Sequence, residues 1–201
     1  MKTDKIKYFA LAIIMVTALG CVDENDQRLP KYNKVGFSQD FNAGADNTLL
    51  EIENWVNFAE AGTAKWKFQV FSNNGYAEFS AFQTNENLNI GWLISPAFTL
   101  VENNSRKLRF NVSQSFVSSP ANKLEVLIST DFDGTNVTAA TWTPLEAAIP
   151  GTDAPYFEFF DSGIIPLAAF TGNAYIAFRF TGSGNDSNLD GSYQVDNASV
   201  Y

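Results

Sequence analysis

Apolar and polar residues alternate along several short stretches of the chain, most regularly at 107–112, 124–129 and 175–180. A period of two places successive side chains on opposite faces of a strand, so each stretch predicts a strand with one buried face. The residues predicted to face inward are Leu108, Phe110, Val112, Leu124, Val126, Ile128, Ile176, Phe178 and Phe180.

Candidate strands separated by turns cover most of the chain. Turn-forming residues separate the candidate strands, as in the runs 73–75, 133–134 and 182–186, and glycine and asparagine there supply the positive φ of tight turns. Only 47–54 could be helical, because Leu49 and Ile52 lie three residues apart. The predicted fold is all-β, a sandwich of two sheets. Its candidate strands are 34–42, 55–59, 65–71, 76–82, 92–95, 107–116, 123–130, 141–145, 157–165, 174–181 and 193–200.

Composition excludes several kinds of chemistry. The 201 residues include no histidine and a single cysteine, Cys21, so histidine-based triads, Cys/His zinc sites and an intrachain disulfide are ruled out. A net charge of −9 argues against nucleic acid as a partner, because binding to phosphates needs a basic surface. Acid–base catalysis would rest on Asp and Glu alone, and no pair of them stands out, so we do not expect an enzyme.

The first 20 residues are predicted to be a lipoprotein signal peptide. Lys2, Lys5 and Lys7 precede an apolar run of twelve residues, 8–19, which is too short to span a bilayer. The run ends in Ala-Leu-Gly-Cys, which resembles a bacterial lipobox and implies cleavage before Cys21 and acylation of that residue. The alternative is an ordinary secreted protein in which Cys21 has no special role.

Residues 21–33 are predicted to be the acylated cysteine and a flexible tether, since 22–33 are polar and show no periodicity. The acidic residues Asp23, Glu24 and Asp26 resemble the export signal of surface-exposed Bacteroidetes lipoproteins. They could equally be ordinary linker charge. Membrane attachment through the lipid anchor alone is expected, with the domain at the outer membrane and facing the cell exterior.

A family resemblance rests on the segment 91–100, Gly-Trp-Leu-Ile-Ser-Pro-Ala-Phe-Thr-Leu. It resembles the signature of choice-of-anchor J and cleaved-adhesin domains, which are MAM-like jelly rolls on Bacteroidetes surface proteins. Further blocks of sequence match the family pattern in order, at 76–81, 124–134, 139–145, 175–184 and 193–200. The last of these blocks departs from the pattern at two positions, with Tyr193 in place of Trp and Asn197 in place of a second Asp.

The resemblance covers 35–201 and implies a jelly-roll β-sandwich of two antiparallel sheets with about ten strands over 34–201. It also implies a non-enzymatic, lipid-anchored binding or adhesion module at the cell surface. Because similar lipoproteins accompany outer-membrane glycan import, a polysaccharide is the expected ligand. The alternative is a structural or protein-interaction subunit of a transporter complex or adhesin, with a surface protein as partner.

A structural calcium ion is the one cofactor considered. Relatives of this type hold calcium with oxygens from their first and last strands, and Asp196 matches the family's aspartate. With Asn42 and Asn197 nearby in sequence, Asp40 and Asp196 are the predicted ligands. The alternative is that these side chains cap turns or meet water. The segment 131–134, Asp-Phe-Asp-Gly, lacks the spaced acidic residues and the terminal Glu of an EF-hand loop, so it is predicted to be a hairpin turn instead.

Exposed aromatic side chains are the expected platforms for a sugar. Trp66 and Tyr156 are the two candidates, because both lie in aromatic-rich stretches. Phe157 and Phe159 are expected to belong to the core. Trp142 is expected to pack in the sandwich rather than to bind a sugar.

Overall fold

The computed structural model describes residues 35–102 and 105–201, all within the compact unit Asn33–Tyr201. The predicted signal peptide, Cys21 and the tether lie outside the described residues. Across the described part the chain forms fourteen strands and one 3-10 turn, Val137–Ala139, and it has no helix long and apolar enough to cross a membrane. The strands are β1 (Phe37–Gln39), β2 (Thr48–Leu49), β3 (Val56–Ala61), β4 (Lys67–Phe71), β5 (Asn74–Ser80), β6 (Asn89–Ile94), β7 (Phe98–Leu100), β8 (Lys107–Ser115), β9 (Lys123–Ser129), β10 (Thr143–Pro144), β11 (Phe160–Asp161), β12 (Ile165–Pro166), β13 (Gly172–Gly182) and β14 (Ser192–Val200).

The strands form two sheets whose strand pairs are all antiparallel. The eight-stranded sheet has the order β11-β8-β14-β5-β4-β2, with β1 also paired to β14 and β12 to β8. The six-stranded sheet has the order β10-β9-β13-β6-β3, with β7 also paired to β13. The predicted all-β sandwich of two sheets is therefore confirmed. Fourteen strands replace the expected ten because several edge pairings, such as β2 and β10, involve only two residues.

The inner faces of the two sheets enclose the main core. Every residue that the alternating pattern predicted to face inward is buried there. Across the interface, Phe79 of β5 stacks on Phe180 of β13 at 4.4 Å, and Phe110 of β8 meets Phe178 edge to face at 5.0 Å. Aromatic pairs at these distances and angles add to the stabilisation that comes from burying their apolar area.

A second apolar cluster covers the outer face of the six-stranded sheet. Trp92 and Ile94 of β6 point to that face, and the segment after β9 folds back over them with Phe132 and Val137. Trp142 packs on Trp92 at 5.2 Å. This segment therefore covers part of the outer face of the six-stranded sheet.

The segment 47–54, the only stretch whose pattern could have been helical, is not a helix. The segment contains only the short strand β2, and Asn47 and Asn54 have φ of 57° and 64°, in the left-handed region that interrupts a right-handed helix. The predicted strand at 157–165 is also divided, into β11 and β12. Gly163 between them has φ of 77°, and Phe157 before them has φ of 61°, so the extended backbone is interrupted at both residues.

Candidate functional site

Polar side chains line the outer face of the eight-stranded sheet across three adjacent strands. Glu78 and Ser80 come from β5, Ser192 from the neighbouring β14 and Ser115 from β8. They face outward because the alternate residues of these strands are buried between the sheets. These four side chains, here called the polar floor, lie at the base of a groove with a cavity volume of about 510 Å³.

Gln194 of β14 is fully buried and joins the polar floor together. Its Nε2 donates to Glu78 Oε2 at 2.8 Å and to Ser192 Oγ at 2.7 Å, and its Oε1 accepts from Ser113 Oγ at 2.7 Å. Ser115 Oγ and Ser192 Oγ are also hydrogen-bonded, at 2.7 Å. A connected network of this kind fixes Glu78, Ser115 and Ser192 in one arrangement before any ligand arrives.

Glu78 is the one floor residue that can change its charge. Burial raises the pKa of its carboxyl above the ordinary value, although hydrogen bonds from Gln194 and Ser192 act in the opposite direction. When protonated the carboxyl donates one hydrogen bond, and when ionised it only accepts. Both forms can pair with a hydroxyl group, because a hydroxyl group donates and accepts.

Three exposed aromatic rings form one side of the groove. Phe116, Tyr156 and Phe157 are 59%, 53% and 51% exposed, and this set is here called the aromatic wall. The Phe116 ring lies 4.7 Å from the ring of Tyr156 and 6.3 Å from that of Phe157. Phe116 and Phe157 have φ of 58° and 61°, a conformation that is unfavourable for bulky residues. Backbone strain of this kind occurs at functional sites, which makes the groove a candidate site.

A buried glutamine holds the wall in place. Gln114, at the end of β8, donates from Nε2 to the carbonyl oxygen of Ala154 at 2.6 Å, and its backbone carbonyl accepts from the Phe157 amide at 2.8 Å. Its Oε1 accepts from the amide of Val117, next to Phe116, at 3.1 Å. One residue thus fixes both loops that supply the aromatic wall.

The groove continues into two neighbouring cavities. On one side, a polar cavity of about 390 Å³ shares Glu78, Ser80 and Phe82 with it. On the other side, a cavity of about 470 Å³ shares Phe157 with it and is mostly apolar. This second cavity is here called the aromatic pocket, and it is lined by Phe71, Ser72, Asn74, Tyr76, Phe157 and Phe159.

Trp66 does not belong to the groove, so its prediction as a ligand platform is wrong. It is fully buried in the main core, where its ring meets Phe79 edge to face at 5.8 Å. The strand pattern explains the difference, because Trp66 precedes β4 on the same face as the buried Phe68. A ring with no exposed surface cannot stack on a ligand.

Tyr156 is exposed and lines the groove, which is the position that the sequence-based prediction requires. Its role in binding stays a prediction. Phe157 was expected in the core, and that expectation is wrong, because it lies in the loop before β11 and its exposed ring lines the groove. Phe159 is half-buried against Tyr76, with ring centroids 5.5 Å apart, and lines the aromatic pocket rather than the main core.

Asp40 and Asp196 lie near each other because β1 pairs with β14. Asp196 is buried and accepts hydrogen bonds from Asn74 Nδ2 at 3.0 Å and from the Asn197 amide at 2.6 Å. Burial raises the pKa of Asp196, and the negative charge of Asp40 adds to the rise. Among the described residues, no ion pair joins Asp196 to Lys or Arg, and no three acidic, His or Cys side chains form a metal-binding group.

Two other motifs have local structural roles. Trp142 is half-buried between Trp92 and Phe132, and its Nε1 donates to the carbonyl oxygen of Val137 at 2.9 Å. Asp131 and Asp133 accept hydrogen bonds from neighbours in the loop after β9, including the amide of Thr141, and these bonds hold the pKa of both carboxyls below the ordinary value. These carboxylates stabilise the loop 130–142, which contains the 3-10 turn and is longer than the expected tight hairpin turn at 131–134.

Sequence reasoning missed Glu78, Gln194 and Phe116 as site residues. Glu78 and Gln194 each occupy a polar position of an alternating strand, on the sheet face away from the main core, and the sequence pattern does indicate this. The pattern does not indicate that β5 and β14 are neighbouring strands, because the two residues are more than 100 positions apart in sequence. Phe116 has a positive φ directly after β8, and the sequence has no glycine there to indicate the break in the strand.

Comparison with solved structures shows the same architecture in cleaved adhesin domains. The K1 domain of Lys-gingipain from Porphyromonas gingivalis W83 superposes with a TM-score of 0.51 at 17% identity, covering 84% of this chain and 98% of that domain. The K2 domain of Lys-gingipain gives 0.51 at 14% identity, covering 82% and 97%. The K3 domain from the same strain as K1 gives 0.50 at 16%, covering 83% and 99%. No protein-family model and no curated protein sequence matches the chain. At such low identity the likeness establishes the fold.

Proposed function

We propose that this protein is a non-enzymatic module that binds glycans in the groove on its eight-stranded sheet. The observation that supports the proposal is the exposed aromatic wall beside a hydrogen-bonded polar floor. A sugar ring presents apolar C–H faces that stack on aromatic rings, and hydroxyl groups that pair with carboxyl and hydroxyl side chains. Most protein binding sites for small ligands combine apolar walls with a few fixed polar groups in this way.

A glycan array followed by calorimetry with the oligosaccharides that bind tests the proposal. We expect Phe157→Ala and Tyr156→Ala to weaken binding, because truncating a central aromatic contact typically costs about 2 kcal/mol, roughly a thirtyfold change in Kd. Phe160→Ala is the matched control, since Phe160 is also partly exposed but does not line the groove. A uniformly negative array, or equal losses in all three variants, would contradict the proposal.

We propose binding without hydrolysis. Glu78 and Asp190 both line the groove, and glycosidases use a pair of carboxyl groups, so hydrolysis needs its own measurement. Prolonged incubation of the wild-type protein with a bound oligosaccharide should leave the oligosaccharide intact. Cleavage that Glu78→Gln abolishes would show that the protein is an enzyme.

The proposal places the domain on the cell exterior, attached to the outer membrane through an acylated Cys21, in the setting of polysaccharide uptake. The sequence pattern around Cys21 supports this part. A structural or protein-interaction subunit is the alternative function. A negative glycan array together with co-purification of a defined surface protein would favour it.

We also propose a structural calcium ion bound by Asp196 and Asp40. The buried Asp196 carboxyl, its acidic neighbour and the side-chain amides of Asn74 and Asn197 provide the oxygen atoms that calcium prefers. Both amides donate to Asp196 in this structure, so they would have to turn their oxygens towards the ion. A bound cation would offset the charge of two neighbouring carboxylates.

A further inference from the structure

The aromatic pocket opens directly beside the groove, and the two differ sharply in chemistry. Phe157 lines both, and Tyr76 of the pocket lies two residues before Glu78 of the polar floor on the same face of β5. The negative charge of Glu78 raises the pKa of the Tyr76 hydroxyl, after the larger effect of burial, so the two side chains are close in space. A single ligand can therefore occupy both cavities.

The pocket is lined by four aromatic rings and two small polar side chains, and none of its lining residues is charged. The Phe159 ring meets the Tyr76 ring edge to face at 5.5 Å. Phe71, at the end of β4, is 73% exposed, so its ring is accessible to a ligand in the pocket. A neutral apolar group suits this lining better than a sugar hydroxyl or an ion does.

The size of the pocket selects among apolar groups that glycans carry. Its volume of about 470 Å³ lies in the range of small-molecule sites, roughly 300–1,000 Å³. An acetyl group has three non-hydrogen atoms and would leave most of the pocket empty. A hydroxycinnamoyl group, with about a dozen non-hydrogen atoms, covers much more of the lining. Its flat ring can also stack against the aromatic rings of the lining.

We infer that the preferred ligand is a glycan that carries an aromatic acyl ester, with the sugar on the polar floor and the acyl group in the aromatic pocket. This inference rests on the proposed glycan binding. Ser72 lines the pocket and can pair with the ester or with a ring hydroxyl, whereas Asn74 already donates to Asp196. The aromatic wall and the pocket then form one continuous apolar surface through Phe157.

Calorimetry with a feruloylated arabinoxylan oligosaccharide, before and after removal of the ester by mild alkali, tests the inference. We expect the esterified form to bind at least tenfold more tightly. Methyl ferulate alone, followed by ligand-observed NMR, should bind weakly and compete with the esterified oligosaccharide. Equal affinity for the two oligosaccharides would overturn the inference and leave glycan binding intact. If neither oligosaccharide binds, the inference is overturned, and binding of methyl ferulate alone does not restore it.

Variants separate the pocket from the groove. Phe159→Ala should remove the tenfold preference and leave affinity for the de-esterified oligosaccharide unchanged, whereas Tyr156→Ala should weaken both. Phe159→Leu keeps apolar volume without an aromatic face and guards against a loss of folding, so it should reduce the preference at an unchanged Tm. Phe160→Ala, one residue away and outside the pocket lining, should behave as the wild type. An unchanged preference in both Phe159 variants would overturn the inference.

Discussion

Gly91 of β6 provides a direct test of how the two sheets pack. It faces Phe79 of β5 across the core, and a Cβ at position 91 would lie 1.9 Å from Phe79 Cε2 and 2.5 Å from its Cδ2. Both distances are below any that a real Cβ adopts. Phe79 cannot move aside easily, because it is fully buried between the rings of Trp66 and Phe180.

Gly91→Ala should therefore destabilise the protein by overpacking. Overpacking costs typically about 1–3 kcal/mol, and contacts this short place the cost near the upper end. The lower backbone entropy of alanine in the unfolded chain returns about 1 kcal/mol. The net loss of about 2 kcal/mol corresponds to a fall in Tm of roughly 4–8 °C for a domain of this size.

Thermal unfolding followed by circular dichroism measures this change. Gly151→Ala is the matched control, because a Cβ there meets nothing within 4 Å. In a double-mutant cycle with Phe79→Ala, the effect of Gly91→Ala should shrink, since the clashing ring is gone. A Gly91→Ala protein that melts within about 1 °C of the wild type would refute the packing described here.

Three further predictions concern charged or modified groups. Because the folded-state pKa of Glu78 is raised, the folded state binds its proton more tightly than the unfolded chain, and the free energy of unfolding falls as the pH rises through that value. Glu78→Gln should reduce this fall. The Tm of the variant minus the Tm of the wild type should therefore be larger at pH 8 than at pH 4, and the same difference at both pH values would contradict the argument. Excess calcium should raise the Tm of the wild type but not of Asp196→Asn, and a wild-type Tm that neither calcium nor a chelator changes would remove the calcium proposal. In the native host, labelled palmitate should be incorporated into the wild type and not into Cys21→Ser; equal labelling would place the lipid elsewhere.

The sequence allowed the sandwich to be predicted because alternation identifies buried faces directly. Leu108, Phe110 and Val112 face the core as expected, and so do Ile176 and Phe178. The position of Phe157 was not predictable in this way. Its backbone adopts a positive φ, and it is not a glycine that would have indicated a break in the strand.

The candidate site was less predictable because it depends on contacts between distant strands. The groove combines Glu78, Ser115 and Ser192, which approach only when β14 lies between β5 and β8. Tyr156 was identified from aromatic composition alone. Trp66 shared that composition but lies on the inner face of its strand, so composition could not distinguish the two.

The central claim is that a glycan binds on the outer face of the eight-stranded sheet. NMR chemical-shift mapping with an oligosaccharide from the array tests it most directly. The largest changes should fall on the backbone amides of Glu78, Ser115 and Phe157 and on those beside them in the groove. Changes confined to the opposite sheet, around Trp142 and Arg179, would contradict the account.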